Sequence, residues 1–242
     1  HGLGGFHLAA DPLNEGTLRR LRRDKERGRK PFALMARDLE AASEVCVVTA
    51  GDAAWLTSAR APIMILPARD HDGMPLVSPT GTLGVMLPYT PLHLLLFAHP
   101  RAPDRFRWLV MTSGNRRDEP IVTDPREALE RLGGTADLFL CHDRRIVRRT
   151  DDSVLRPARA SMVQVRRSRG FVPGLVALGR PLDRTVLAVG GDLKSAPAMG
   201  RGSAISLSPF VGDLDDPRAL ASFERHVADL LRLYEGEPGA VL

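Results

Sequence analysis

The stretch WLVMTSGN, residues 108–115, joins a short apolar run to a small polar turn. The apolar run predicts a buried strand over residues 108–112, which leads directly into Ser113, Gly114 and Asn115. Open α/β sheets bind ligands at the carboxyl ends of their strands, where hydroxyl, amide and backbone groups can hydrogen bond to phosphate. The stretch therefore predicts a ligand-binding edge of an α/β sheet, with a plain turn as the alternative.

Short strands and helices are predicted to alternate on both sides of this stretch. Apolar runs bounded by turn residues predict strands, at residues 31–35, 63–66, 83–87, 136–141, 153–155 and 162–166. Helical spacing and capping residues predict helices, at residues 14–23, 38–44, 52–57, 91–97 and 125–132. Such alternation is typical of an α/β domain.

The length and composition indicate an ordinary globular protein. With 242 residues, one full domain and part of a second are expected. No apolar run is long enough to cross a membrane and residues 1–8 do not resemble a signal peptide, so a cytoplasmic location without membrane contact is expected. Cys46 and Cys141 lie in apolar contexts without CxxC spacing, which predicts buried thiols instead of a disulfide or a zinc ribbon.

Arginine dominates the formal net charge of +5 and is concentrated in three clusters, at residues 19–30, 144–149 and 166–169. Such clusters bind phosphate, either of a nucleotide or of a nucleic-acid backbone, and charge alone does not distinguish the two. Aromatic residues make up 5% of the chain and do not alternate with the basic runs. This composition disfavours a stacking surface for single-stranded nucleic acid.

The first basic cluster contains Lys25 and Arg27, followed by Lys30 immediately before Pro31. On an extended segment, two residues that are two positions apart project to the same side, so Lys25 and Arg27 can contact one triphosphate, with arginine giving the bidentate contact. A solvated basic loop is the alternative interpretation.

The second basic cluster lies within the most polar segment of the chain, residues 142–153, and the third follows it at residues 166–169. Arg148 and Arg149 are close in sequence to Asp151 and Asp152, which predicts a surface network of ion pairs. His142 is a candidate general base, although a structural or orienting role is the alternative. Arginines at the end of a strand, in the segment RRSRG of residues 166–170, are placed to close over nucleotide phosphates.

A second unit is predicted beyond a hinge at residues 173–184. It comprises strands at residues 186–189 and 204–207 and a helix over residues 217–234, whose apolar face contains Leu220, Phe223, Val227, Leu230, Leu231 and Tyr234. So few elements cannot bury a core of their own. The second unit is therefore expected to be truncated.

Several stretches, in this order, resemble the hydrogenase-maturation carbamoyltransferase (HypF) family. In the first unit they are GLGGFHLA (residues 2–9), KERGRKPFALM (25–35), TLGVMLPYTPLH (82–93), MTSGN with DEPIV (111–122), HDR with IVRRTDDSV (142–154) and RRSRGFVP (166–173). Beyond the hinge they are AVGGDLK (188–194) and LSPFVGDLDD (207–216).

The resemblance implies a YrdC-like α/β domain with a twisted mixed sheet and helices over residues 1–175, lacking its first strand. A linker at 176–185 and a truncated actin/ribonuclease H-like α/β segment at 186–242 would follow. It also implies nucleotide and phosphate contacts from Lys25, Arg27, Lys30, Ser113, Asn115, Arg149, Ser153, Arg167 and Arg169. No residue is assigned to catalysis of bond cleavage itself.

The implied reaction uses ATP with Mg²⁺ to convert carbamate, derived from carbamoyl phosphate, into carbamoyl-adenylate. The carbamoyl group would then pass to the C-terminal cysteine of the partner protein HypE. Zinc is implied only in family modules outside this sequence. Departures from the family pattern include Arg116-Arg117 in place of smaller residues, and Ser195-Ala-Pro-Ala198.

Two other functions are compatible with the same motifs. A threonylcarbamoyl-adenylate synthase for transfer RNA modification shares the fold, but AVGGDLK and LSPFVGDLDD disfavour it because such a synthase does not continue into a transfer domain. A module that binds double-stranded RNA weakly is the third, and the basic charge permits it.

Overall fold

The computed structural model describes residues 1–70, 74–116, 119–159, 161–235 and 237–242. Within these ranges the strands form two sheets, one of seven strands and one of five. Arg117 and Asp118, which belong to the predicted motifs, lie outside the described residues. None of the helices in the described ranges has the length and apolar character needed to cross a membrane.

The larger sheet is mixed. Its order is β1-β5-β2-β4-β3-β6-β7, and β2–β4 and β3–β6 are its parallel pairs among antiparallel ones. The strands are β1 (His7–Ala10), β2 (Ala33–Ala36), β3 (Ile63–Pro67), β4 (Thr82–Met86), β5 (Trp108–Ser113), β6 (Val154–Ala158) and β7 (Ser161–Arg166). The predicted α/β fold with a mixed sheet is confirmed.

Five helices pack with this sheet: α1 (Glu15–Asp24), α2 (Leu39–Val45), α3 (Ala50–Leu56), α4 (Pro91–Phe97) and α5 (Pro125–Leu132). Their starts follow from side chains that accept backbone N–H groups, as Asn14 does for α1 and Asp38 does for α2. The predicted start of α3 was late, because Asp52 is not its cap. Thr49 caps α3, and Asp52 completes a capping box with it.

The central strands form the core of the larger sheet. Leu34, Met35, Val85 and Val110 are fully buried, and burying each such side chain contributes roughly 1.5–3 kcal/mol. Because successive strand residues point to opposite faces, Leu34 packs in one apolar cluster and Met35 in another on the opposite side. β5 is therefore held firmly between β1 and β2, and its carboxyl end is fixed in space.

The smaller sheet has the order β12-β9-β10-β11-β8. Its strands are β8 (Leu175–Ala177), β9 (Val186–Ala188), β10 (Ala198–Arg201), β11 (Ala204–Leu207) and β12 (Ala240–Val241), and α6 (Pro217–Leu233) packs against it. Its core is small, with Leu187, Met199 and Leu230 buried together. β8 includes residues of the predicted linker and pairs with β11.

Two sequence predictions of local structure are wrong. Residues 136–141 do not form a strand, because no described strand pairs with them, and Leu138 is exposed. The prediction of a buried thiol at Cys141 is also wrong, because Cys141 lies exposed at the end of this unpaired segment. Cys46 is buried as predicted. In α6, Val227, Leu230, Leu231 and Tyr234 of the predicted face pack in the core of the smaller sheet. Leu220 is exposed, and Ala219, Ser222 and His226 are also buried.

Candidate functional site

Lys25 connects the end of α1 to the end of β5. Its Nζ donates to the carbonyl oxygens of Ser113 (2.7 Å) and Asn115 (2.6 Å) and to Oδ1 of Asn115 (3.0 Å). Lys25 is 5% exposed. The structure thus brings together three residues that the sequence predicts for one site, and we refer to Lys25, Arg27, Thr112, Ser113 and Asn115 as the Lys25 cluster.

Both the oxygen and the nitrogen of the Asn115 side-chain amide form hydrogen bonds. Oδ1 also accepts from Oγ of Ser113 (2.7 Å), and Nδ2 donates to the carbonyl oxygen of Glu119 (2.6 Å). The turn requires glycine at position 114, because a Cβ there would lie 2.8 Å from the carbonyl oxygen of Phe6. The turn after β5 is therefore an ordered, closely packed structure.

Arg27 completes the cluster beside the last residues of β5. Its guanidinium donates to the carbonyl oxygen of Pro31 (2.7 Å) and to Oγ1 of Thr112 (3.3 Å), and it lies 5.0 Å from the centre of the Phe32 ring. Lys30, in the same loop, provides a carbonyl oxygen to Arg27 (3.4 Å). Thr112 and Phe32 were not predicted as site residues, although both lie in the quoted motifs.

The cations of this region depress one another's pKa values. Burial, assisted by the charges of Arg27 and Lys30, lowers the pKa of Lys25 to about 7. Burial, assisted by Arg22 and Arg166, lowers the pKa of Arg27 to about 10. An anion placed among these groups would relieve their repulsion, so the electrostatics of the cluster favour a phosphate ligand.

A second cluster of buried polar residues surrounds Asp152, and we refer to His7, Tyr89, Asp152 and Arg169 as the Asp152 cluster. Arg169 Nε (2.8 Å) and Tyr89 OH (3.0 Å) both donate to Oδ1 of Asp152, and His7 Nε2 lies 3.5 Å from Oδ2. Although burial raises it, the pKa of the Asp152 carboxyl lies well below its usual range because of His7 and Arg169.

Ser153 and Arg169 are brought together, but their polar atoms bind within the protein. Ser153 Oγ donates to the carbonyl oxygen of Arg169 (2.9 Å), and Arg169 also donates to the carbonyl oxygen of Ala61 (2.7 Å). Arg167 donates to the carbonyl oxygens of Phe171 and Gly174, at 3.0 Å each. Neither arginine contacts the Lys25 cluster in these hydrogen bonds.

The predicted pairing of Arg148 and Arg149 with Asp151 and Asp152 is wrong. Arg148 pairs with Asp229 of α6, and the Asp151 carboxylate lies 3.6 Å from Arg166. The partners of Asp151 and Asp152 are Arg166, at the end of β7, and Arg169, just after it. Both aspartates are largely buried instead of lying on a surface.

Arg149 lies beside the turn that follows β5, whereas His142 lies beside His1. Arg149 donates to the carbonyl oxygens of Ile121 (2.7 Å) and Arg218 (3.4 Å), next to the turn that contains Asn115. His142 is exposed and stacks on the ring of His1 at 3.9 Å.

Two cavities lie elsewhere. One of about 680 Å³ is lined by His7, His93 and residues of the segment 135–140. Another of about 460 Å³ lies between the two sheets and includes Gly170 and Leu230. Lys25 and Arg27 line neither of these two cavities.

Two family models match this chain. The Sua5/YciO/YrdC model, described as telomere recombination, matches residues 1–168, and the HypF Kae1-like domain matches residues 181–242. The chain is 44% identical to carbamoyltransferase HypF of Rhodobacter capsulatus and 39% identical to that of Rhizobium leguminosarum, over 99% and 98% of its length. It spans about a third (32%) of the length of these relatives.

Solved structures give the same assignment. Full-length HypF in a phosphate- and nucleotide-bound form matches with a TM-score of 0.91 and 38% identity, over 99% of this chain and 31% of that one. YciO of E. coli matches with a TM-score of 0.56 and 21% identity, over 71% of this chain and 84% of that one, which shows the fold alone. The chain therefore belongs to the HypF carbamoyltransferase family, with a YrdC-like domain over residues 1–168 and a match to the HypF Kae1-like domain over residues 181–242.

Proposed function

We propose that the larger sheet and its helices bind ATP and activate carbamate as carbamoyl-adenylate, within a hydrogenase-maturation carbamoyltransferase. The observation that carries this proposal is the Lys25 cluster, in which two buried cations meet the hydroxyl and amide groups at the end of β5. The proposed source of carbamate is carbamoyl phosphate, and the proposed acceptor of the carbamoyl group is the C-terminal cysteine of HypE.

The proposed reaction needs charge stabilisation more than a protein nucleophile. A carbamate oxygen attacks the α-phosphorus of ATP, a new P–O bond forms, and the bond to the bridging oxygen breaks so that pyrophosphate leaves with its electron pair. Arg27 would contact the phosphates, since cations placed where negative charge accumulates lower the barrier. Lys25 and Ser113 would position Asn115, and the ammonium group of Lys25 would add positive charge.

We propose that Mg²⁺ binds together with ATP. Among the described residues, no group of three or more His, Cys, Asp and Glu side chains is arranged to hold a metal ion. Mg²⁺ is usually bound through substrate phosphates with one or two carboxylates, and the roles proposed for Lys25, Arg27 and Asn115 do not depend on a separate metal site.

The remaining predicted site residues divide into two groups. We propose nucleotide contacts for Lys30 and Arg149, because Lys30 lies in the Arg27 loop and Arg149 lies beside the turn of Asn115. Ser153, Arg167 and Arg169 bind carbonyl oxygens within the protein, so we propose that they shape the domain. We also propose the domain limits 1–175 and 186–242, with β8 joining the connecting segment to the smaller sheet.

The decisive experiment measures pyrophosphate release from ATP by the full-length protein. We expect release with carbamoyl phosphate and without threonine, and loss of release in Arg27→Ala. Arg23→Ala is the matched control, because Arg23 is an exposed arginine at the end of α1, shortly before Arg27 in the chain, and it should retain wild-type release. A requirement for bicarbonate and threonine would instead indicate the threonylcarbamoyl-adenylate synthase and reject the proposal.

The same protein preparation separates the enzyme from an RNA-binding module. ATP binding that is strongly weakened in Arg27→Ala supports the enzyme. Binding of duplex RNA that falls steeply with salt and does not depend on nucleotide would support the module instead.

A further inference from the structure

A continuous series of contacts connects α6, which packs on the smaller sheet, to the Lys25 cluster. Asn115 Nδ2 donates to the carbonyl oxygen of Glu119 at 2.6 Å. The carboxylate of Glu119 in turn lies 3.2 Å from Nη2 of Arg218, in the first turn of α6, and also binds Arg131 of α5. Glu119 thus contacts the cluster through its backbone and both domains through its side chain.

Arg218 is held in a fixed orientation by its own helix. The N-cap residue Asp216 accepts from the backbone N–H of Arg218 (2.8 Å) and from its guanidinium, at 2.9 Å to Nε and 2.6 Å to Nη2. These contacts lower the pKa of Asp216 to about 2, chiefly through the hydrogen bond from the Arg218 side chain. Arg218 therefore presents its guanidinium to Glu119 from a rigid position.

The segment that follows Glu119, residues 121 and 122, has its own hydrogen bonds to the rest of the protein. Val122 donates to the carbonyl oxygen of Gly114 (2.9 Å) and accepts from the backbone N–H of Phe6 (2.8 Å). Arg149 donates to the carbonyl oxygen of Ile121 (2.7 Å) and to that of Arg218 (3.4 Å). The turn of Asn115 is thus held by the sheet at one end and by contacts with α6 at the other.

We infer that Glu119 and Arg218 are positioning residues for Asn115, so that docking of α6 sets the geometry of the Lys25 cluster. The inference rests on the proposed function of that cluster. An amide has distinct ends, and the carbonyl oxygen of Glu119 determines that Nδ2 faces away from Lys25 while Oδ1 faces it. If Arg218 releases Glu119, the amide loses the support that directs Oδ1 towards Lys25 and Ser113.

The test compares two variants of α6 in the full-length protein. Arg218→Ala removes the contact with Glu119. Asp229→Ala is the matched control, because it removes a different ion pair between α6 and the first domain. That pair joins Asp229 to Arg148, and it is not connected to Asn115. For each variant, hydrogen exchange of residues 113–122 and the Kd for ATP are measured. Arg218→Lys, which keeps the charge, tests partial recovery.

We expect Arg218→Ala to accelerate exchange of residues 113–122 severalfold and to weaken ATP binding about fivefold, the size of a moderate coupling between sites. Asp229→Ala should change neither measurement by as much as twofold, and Arg218→Lys should lie between wild type and Arg218→Ala. Equal effects of Arg218→Ala and Asp229→Ala would show general loosening of α6 and would overturn the inference. Unchanged exchange in Arg218→Ala would also overturn it.

The exchange measurement keeps the two proposals distinguishable. If the wild-type protein bound no ATP but Arg218→Ala still accelerated exchange of residues 113–122, the proposed function would fail and the coupling of Arg218 to the turn would stand. If ATP bound normally and exchange did not respond, the coupling would fail and the proposed nucleotide site would stand.

Discussion

The Lys25 cluster and the Asp152 cluster lie on the same sheet and differ in how their charges are balanced. Lys25 donates to two carbonyl oxygens and an amide oxygen, all of them neutral. In the Asp152 cluster, by contrast, the carboxylate faces the guanidinium of Arg169 and the imidazole of His7 directly. In the contacts of the Lys25 cluster, positive charge meets no carboxylate. In the Asp152 cluster, the carboxylate is balanced by the neighbouring Arg169 and His7.

This difference separates a candidate binding site from a structural one. A buried charge is tolerated when it is paired and hydrogen bonded, as Asp152 is, and such a pair holds together the elements that provide it. Burial, assisted by neighbouring cations, depresses the pKa values of Lys25 and Arg27, and perturbed pKa values cluster at functional sites. The comparison predicts that the two clusters respond in opposite ways to substitution.

The largest effect is expected from Asp152→Asn, which leaves Arg169 buried without its carboxylate. Removing one partner of a buried pair destabilises a protein by about 3–5 kcal/mol, and the Asp152 side chain is 10% exposed. The free energy of unfolding is measured by urea titration. Asp137→Asn, which removes an exposed partner of Arg20, is the control and should change nothing measurable.

The same variant has a defined pH dependence. The folded-state pKa of Asp152 is depressed, so its contribution to stability is complete above the unfolded-state pKa of about 3.9 and is lost as the pH falls through the folded-state pKa. The stability difference between wild type and Asp152→Asn should therefore shrink below about pH 4. A difference that stayed constant with pH would show that the charge of Asp152 is not responsible.

Arg27→Ala should have the converse profile, with a large effect on binding and a smaller one on stability. Loss of a charged hydrogen-bond donor to phosphate weakens binding by about 10- to 100-fold, from the 1.5–3 kcal/mol of such a bond. The change in unfolding free energy should be smaller than that of Asp152→Asn, because the variant also relieves repulsion within the Lys25 cluster. ATP titration and urea titration of the same variant provide both quantities. Destabilisation as large as that of Asp152→Asn would make Arg27 a structural residue.

Four members of the Lys25 cluster, namely Lys25, Arg27, Ser113 and Asn115, were predicted as site residues because they lie in two short motifs with local signals. A strand that ends in Ser113-Gly-Asn115 places polar groups at a sheet edge, and Lys25 follows a helix whose cap at Asn14 is readable. That Lys25 and Asn115 touch required β5 to lie beside β1 and β2, which periodicity does not specify. The resemblance to HypF, and not the spacing, joined the two motifs into one site.

The Asp152 cluster could not be predicted in the same way. His7, Tyr89 and Arg169 come from separate parts of the chain, and sequence proximity instead favoured Arg148 and Arg149 as partners of the aspartates. Residues 136–141 illustrate the same limit for the fold, because an apolar run forms a strand only where another strand is available to pair with it. Glu119 and Arg218 carried no local signal of their contact either.

The smallest effect concerns the protons taken up when ATP binds. The pKa of Lys25 is about 7 without an anion, and a nearby phosphate raises the pKa of an ammonium group because it favours the charged form. At about pH 8, Lys25 is mostly neutral before binding and is protonated in the complex, so ATP binding should take up a large fraction of one proton per site. Calorimetry in buffers with different ionisation enthalpies measures this number.

Two variants show whether Lys25 is the group that is protonated. In Lys25→Met, proton uptake at about pH 8 should disappear, whereas Lys194→Met, which alters an exposed lysine of the second domain, should behave as wild type. The uptake should also decrease as the pH falls below about 7, because Lys25 is then already charged in the free protein. If Lys25→Met took up as many protons as wild type, the titrating group would lie elsewhere. ATP binding would then not change the charge of Lys25, and the electrostatic distinction between the two clusters would fail.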